Sequence, residues 1–153
     1  MKTPLMFAAA VIMALILAGR AVAAPDKPAP GATSAVVTLE VFNGRPDPVW
    51  TLTPAATADL LRLLRALEVT SAKAIPAEAG LGYRAVRAEL RQRGKTVAVI
   101  RIARGVATLD MDSRRVRYAD PGRRLESWLI STNAGHVPPE TLRRVRSEII
   151  KAR

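Results

Sequence analysis

The chain has 153 residues, with 24 lysines and arginines against 13 acidic residues, one histidine and no cysteine, for a net charge of +11. Those figures suit a single domain built on one core. They exclude a disulfide framework and leave too few ligands for a zinc site of the usual Cys/His kind.

The start of the chain reads as an export signal. Lys2 supplies a positive charge, an apolar run extends from Leu5 to Gly19, and Arg20 is followed by Ala21-Val22-Ala23-Ala24-Pro25. A charged start, an apolar middle and small residues at an A-x-A site are the parts of a secretory leader, with the cut expected after Ala23. An uncleaved anchor is the competing reading, but a spanning helix needs about 20 apolar residues, and Arg20 interrupts this run first. Residues 1–23 are therefore expected to leave, 24–34 to form a flexible mature N-terminus rich in proline, and 35–153 to fold as one globular domain. The mature protein is expected in the periplasm or the secreted space, without a transmembrane segment.

Removing that leader takes away two cations and no acid, so the charge stays strongly positive. Of all the cations, 19 are arginine and five are lysine. Such a surface suits anionic partners: envelope phosphates, acidic polysaccharide or an acidic protein. A GC-rich genome produces the same arginine excess with no partner at all. Export argues against nucleic acid.

Ala35 to Phe42 reads as a strand, with Val37, Leu39 and Val41 on one face. Asn43-Gly44 turns the chain, and Pro46 and Pro48 bracket Asp47 in a stiff loop before extended structure resumes around Trp50. Thr53-Pro54 is a helix start, with threonine as N-cap and proline where its missing N–H costs nothing. Leu60, Leu63, Leu64 and Leu67 then share one face of a helix expected to reach about Val69. Strands follow over about 83–92, 96–103, 106–111 and 115–118, separated by turns at Arg93-Gly94, Arg104-Gly105 and Asp112-Ser113-Arg114. Those spacings predict an antiparallel meander. The Val97–Ile102 strand is apolar on both faces apart from Arg101, which predicts a central position. Asp120-Pro121-Gly122 opens a helix carrying Leu125, Trp128 and Leu129, and Pro138-Pro139 opens a last one carrying Leu142, Val145 and Ile149. The order β-α-β-β-β-β-α-α predicts an α+β fold.

Chemistry is harder to find. His136 is the lone histidine, in a loop, and no serine sits in a G-x-S-x-G elbow, so nucleophilic catalysis has no recognisable frame. Asp110, Asp112 and Asp120 match no calcium loop, and Arg114, Arg115 and Arg117 lie among them. Neither phosphate-loop nor dinucleotide glycine patterns occur, and no cofactor is expected.

One stretch stands out. Phe42-Asn43-Gly44-Arg45-Pro46-Asp47-Pro48-Val49-Trp50 combines rigid turn chemistry with one cation, one anion and a tryptophan. It reads as either a tight crossover with Trp50 packed under the first helix, or a recognition loop offering Arg45 and Asp47 to solvent. Together with Leu81-Gly82-Tyr83-Arg84 it resembles small secreted proteins with a pattern near F-S-G-R-P-N-P-x-W and G-Y-R-G. Here Asn43, Asp47 and Ala85 depart from that pattern. The resemblance carries no activity, but it implies that the Arg45–Trp50 loop lies near Tyr83 and Arg84. Arg45, Asp47, Trp50, Tyr83 and Arg84 are accordingly the candidate ligand-binding residues. The leading expectation is an exported basic binding module. An exported inhibitor inserting the Asn43–Trp50 loop, and an enzyme with an unrecognised site, are the alternatives.

Overall fold

The structure is a computed structural model that describes residues 33–41, 46–72 and 82–151. The leader, most of the 24–34 segment and the turn residues Asn43, Gly44 and Arg45 lie outside the described residues.

Six strands form one antiparallel sheet: β1 (Thr33–Glu40), β2 (Val49–Leu52), β3 (Ala85–Gln92), β4 (Lys95–Ala103), β5 (Val106–Met111) and β6 (Arg114–Ala119). Their order across the sheet is β2-β1-β3-β4-β5-β6. Three α-helices accompany it: α1 (Pro54–Arg65), α2 (Arg124–Ser131) and α3 (Pro139–Lys151), with a 3-10 turn over Pro121–Arg123 leading into α2. The fold is α+β, with one helix after the first strands and two at the C-terminal end.

The meander follows from its turns. Arg93-Gly94, Arg104-Gly105 and Asp112-Ser113 all have positive φ at both positions, the geometry of the two-residue hairpin whose twist matches the strands it joins. β4 lies inside the sheet, between β3 and β5, as its two apolar faces predict. Residues 49–52 are a full strand, paired on the outer side of β1 with Val37 opposite Trp50. β1 itself begins at Thr33, two residues before the expected start.

Alternation divides the sheet into two unlike faces. Ala35, Val37, Leu39, Val86, Ala88, Leu90, Ile100, Ile102 and Ala107 point inward and join Leu60 and Leu64 of α1, Leu125 and Leu129 of α2, and Val145 and Ile149 of α3 in one core. All three helices thus pack on the same side. The opposite face carries no described element.

α1 starts as expected: Thr53 Oγ1 accepts from Ala56 N at 3.1 Å, with Pro54 in the first turn. It stops at Arg65, short of the expected Val69. The missing turn is used elsewhere. Glu68 O accepts from Ala119 N, and Thr70 N donates to Arg117 O, each at 2.9 Å, with Val69 bridged to Tyr118. These residues cover part of the outer edge of β6, which protects an edge that would otherwise invite foreign strands.

Candidate functional site

The proline-bracketed loop is clasped to the sheet. The Asp47 carboxylate accepts the Val41 N–H at 2.9 Å through Oδ1, and Arg84 Nη2 approaches its Oδ2 at 3.4 Å. Leu39 N donates to Pro48 O at 3.0 Å, and Arg84 N to Glu40 O at 2.9 Å. Asp47 and Arg84 are therefore brought together, as partners that fasten the end of β1 to the entry of β3. The Asp47 side chain, expected in solvent, is one-fifth exposed and turned inward. Arg45 lies outside the described residues.

Trp50 and Tyr83 point into the molecule. Trp50 is 3% exposed, and its Nε1 donates to Thr132 Oγ1 at 3.0 Å, while that hydroxyl donates on to Leu129 O at 2.6 Å. A buried indole N–H needs such a partner, and here it ties β2 to the end of α2. Tyr83 donates its hydroxyl to Glu126 Oε1. Burial first, then the neighbouring Glu126 charge, pushes the Tyr83 hydroxyl well above its ordinary pKa, so it remains a donor.

Glu126 was invisible as a site at the level of sequence. It is fully buried in α2 and holds Arg123 through two bonds, Nε to Oε2 at 2.6 Å and Nη2 to Oε1 at 2.9 Å. Burial works against the Arg123 charge, but the bonds and charge of Glu126 overcome it, and the guanidinium pKa is raised. Arg123 Nη1 also reaches the Ile149 carbonyl at 3.4 Å, one of the last four carbonyls of α3, which lack helical partners. Asp120 completes the group by accepting from Leu125 N and Glu126 N, each at 3.0 Å, the work of an N-cap. The one available signal was spacing: Glu126 shares a helix face with Leu129 and Ile130. These groups are occupied with one another, and the cluster reads as an internal staple joining β3, α2 and α3.

The open face of the sheet is different. Register places Thr38 opposite Arg87, Arg87 opposite Arg101, Arg101 opposite Thr108, and Thr108 opposite Arg117. One cross-strand row thus reads Thr-Arg-Arg-Thr-Arg over five strands. Like charges directly opposite one another destabilise a sheet, so the Arg87–Arg101 pair needs compensation. Glu40 pairs with Arg101 at 2.9 Å, while Glu89 is shared between Arg87 at 2.8 Å and Arg91 at 2.9 Å. The Nε atoms of Arg87 and Arg117 are buried without a hydrogen-bond partner. A buried donor left unpaired is costly unless water or an anion completes it. On one flank of the row lie Ala85, Ala103, Val106 and Ala119, of which Ala85 is fully buried.

The remaining carboxylates do not converge. Asp110 pairs with Arg115, Asp120 caps α2, and among the described residues no group of three metal-ligating side chains forms. His136 is exposed in the loop before α3, its N–H bonded to Asn133 O at 2.9 Å. Comparison with protein-family models, with curated proteins and with solved structures finds no match to this chain.

Proposed function

We propose that this chain is an exported binding module of the cell envelope or secreted space, and that it engages an anionic partner through the open face of its sheet. The observation that carries the reading is the row Thr38–Arg87–Arg101–Thr108–Arg117. Guanidinium groups present planar, fixed forks that match phosphate, sulfate or carboxylate oxygens two at a time. Threonine hydroxyls between them add neutral donors. Adjacent strands stand about 4.8 Å apart, so neighbouring arginines can hold neighbouring anionic groups on one chain or surface. No tryptophan, tyrosine or phenylalanine lies in the row, which disfavours partners held by ring stacking.

Export rests on the leader and on the resemblance to small secreted proteins. Among the described residues no helix is long and apolar enough to cross a membrane. The intact mass of the protein recovered from the periplasm or medium should begin at Ala24. Recovery of full-length, membrane-bound chain alone would remove the export half of the reading.

Binding is tested separately, on an immobilised sulfated or phosphorylated polymer. Retention should fall steeply between low and physiological salt, since exposed charges are screened beyond about 8 Å at 0.15 M. Retention indifferent to salt, or absent at low salt, would contradict it.

A further inference from the structure

The helical side of the sheet is not closed everywhere. Pairing of β4 with β5 ends at Val99 and Asp110, although β4 begins at Lys95. On that stretch β4 is bulged: Leu90 faces Ala98 and Arg91 faces Thr96, leaving Val97 as the extra residue. A bulge bends its strand and breaks the ladder, and bulges gather beside active sites. Next to this stretch, under the second half of α1, lies a cavity of about 310 Å³. Leu61 and Leu64 line it from α1, and Leu90, Ala98 and Leu109 from the sheet. Ala98 is the short residue among them, and its missing bulk is part of the space.

Size sets one limit on what fits. An apolar cavity of about 150 Å³ takes up one benzene, so this one holds about two rings, or roughly ten heavy atoms. Ligand pockets of this kind are mostly apolar, with a few polar groups at fixed points.

The polar lining sets the other limit. Tyr118, Gln92 and Thr96 reach the cavity, and none of their side chains hydrogen-bonds another described residue. Their polar atoms are not sealed from solvent either. All three are neutral, and each both donates and accepts. The ionic groups at the exposed rim leave no cation over: Arg65 is already engaged, and Lys95 is matched by Asp112. An ion entering here would lose hydration without gaining a free counter-charge.

We propose that this cavity binds a neutral, mainly apolar molecule of about ten heavy atoms carrying one hydroxyl or similar group. Its apolar body lies among Leu61, Leu64, Leu90 and Leu109, and its polar group meets Tyr118 or Gln92. This goes beyond the anion-binding face: the cavity lies on the opposite, helical side of the sheet and selects against charge.

The test is calorimetric titration of the full mature protein with naphthol as the probe. Naphthoate, with the same rings and a charge, and phenol, with the same hydroxyl and one ring, are titrated beside it at neutral pH. Naphthol should bind saturably, one per chain, with naphthoate and phenol each weaker by about tenfold or more. Ala98→Leu should abolish naphthol binding by filling the space. Tyr118→Phe/Gln92→Met should weaken naphthol about fivefold, as for the loss of one hydrogen bond. Arg87→Gln/Arg101→Gln/Arg117→Gln should keep naphthol affinity; loss there would move the ligand to the open face and overturn the cavity proposal. No saturable binding, naphthoate or phenol equal to naphthol, or naphthol binding indifferent to Tyr118→Phe/Gln92→Met would each overturn it as well. So would undiminished binding by a folded Ala98→Leu variant. If Ala98→Leu fails to fold, the probe series and Tyr118→Phe/Gln92→Met decide.

Discussion

Trp50→Ala removes a side chain that is 3% exposed and leaves the Thr132 hydroxyl without its donor. Urea unfolding should register a loss of about 3–5 kcal/mol, as for other buried large aromatics. Asp47→Ala leaves the Val41 N–H without its acceptor and removes the ion pair to Arg84, and should cost about 1–2 kcal/mol, more than an ordinary surface change. Glu126→Gln keeps the shape but strands the Arg123 charge inside, and about 3–5 kcal/mol should go. Tyr83 gives a pH signature. Its pKa is raised by folding, so the unfolded chain ionises first as pH climbs past about 10. Stability linked to Tyr83 is therefore whole below pH 10 and lost as pH rises toward the folded value. In urea titrations above pH 10, Tyr83→Phe should lose stability less steeply than the parent; identical slopes would separate Tyr83 from the alkaline limb. Of these residues Trp50 was legible from composition and position. Glu126 was not, because a buried carboxylate is defined by the arginine it meets, and Arg123 meets it only once the chain kinks through Gly122.

The hairpins were the most legible elements, since Arg-Gly between alternating strands specifies a two-residue turn almost by itself. The two glycines involved are not equivalent. Gly94 has φ +78 and open space around its missing side chain, whereas Gly105 has φ +80 and a Cβ there would meet the Asp120 carbonyl at 3.4 Å. An added side chain in this backbone region costs about 1–2 kcal/mol. Gly94→Ala should show that cost alone, and Gly105→Ala should exceed it in thermal unfolding, because Asp120 N also bonds Gly105 O at 2.8 Å. The C-terminal end of α1 was misjudged for a physical reason. Leu67 continues the apolar period, so periodicity extends the helix, but the backbone of Glu68–Thr70 pairs with β6. Local pattern cannot anticipate a demand made by a strand about 50 residues further along.

Among the described residues, one layer of helices and one face of the sheet enclose the core, and the other face carries charge. Alternation in β3 to β6 identifies Arg87, Arg101 and Arg117 as outward residues from sequence alone. Their alignment is not readable there, because it depends on the register across four hairpin and crossover pairings, including the bulge at Val97. Of the candidate residues marked from sequence, Asp47 and Arg84 form the clasp and Trp50 and Tyr83 lie in the interior, while Arg45 lies outside the described residues. If the surface acts only through net charge, any three arginines removed should weaken anion binding alike. If the row is the site, position decides. The direct measurement compares two variants of equal charge, Arg87→Gln/Arg101→Gln/Arg117→Gln on the open face and Arg143→Gln/Arg144→Gln/Arg146→Gln on exposed α3. Each is titrated with the same anionic polymer at fixed salt, after unfolding curves establish that both fold. The open-face variant should lose about tenfold or more in affinity, as for the loss of charge-assisted contacts, with the α3 variant within about twofold of the parent. Equal losses in the two variants would contradict the row as the binding site.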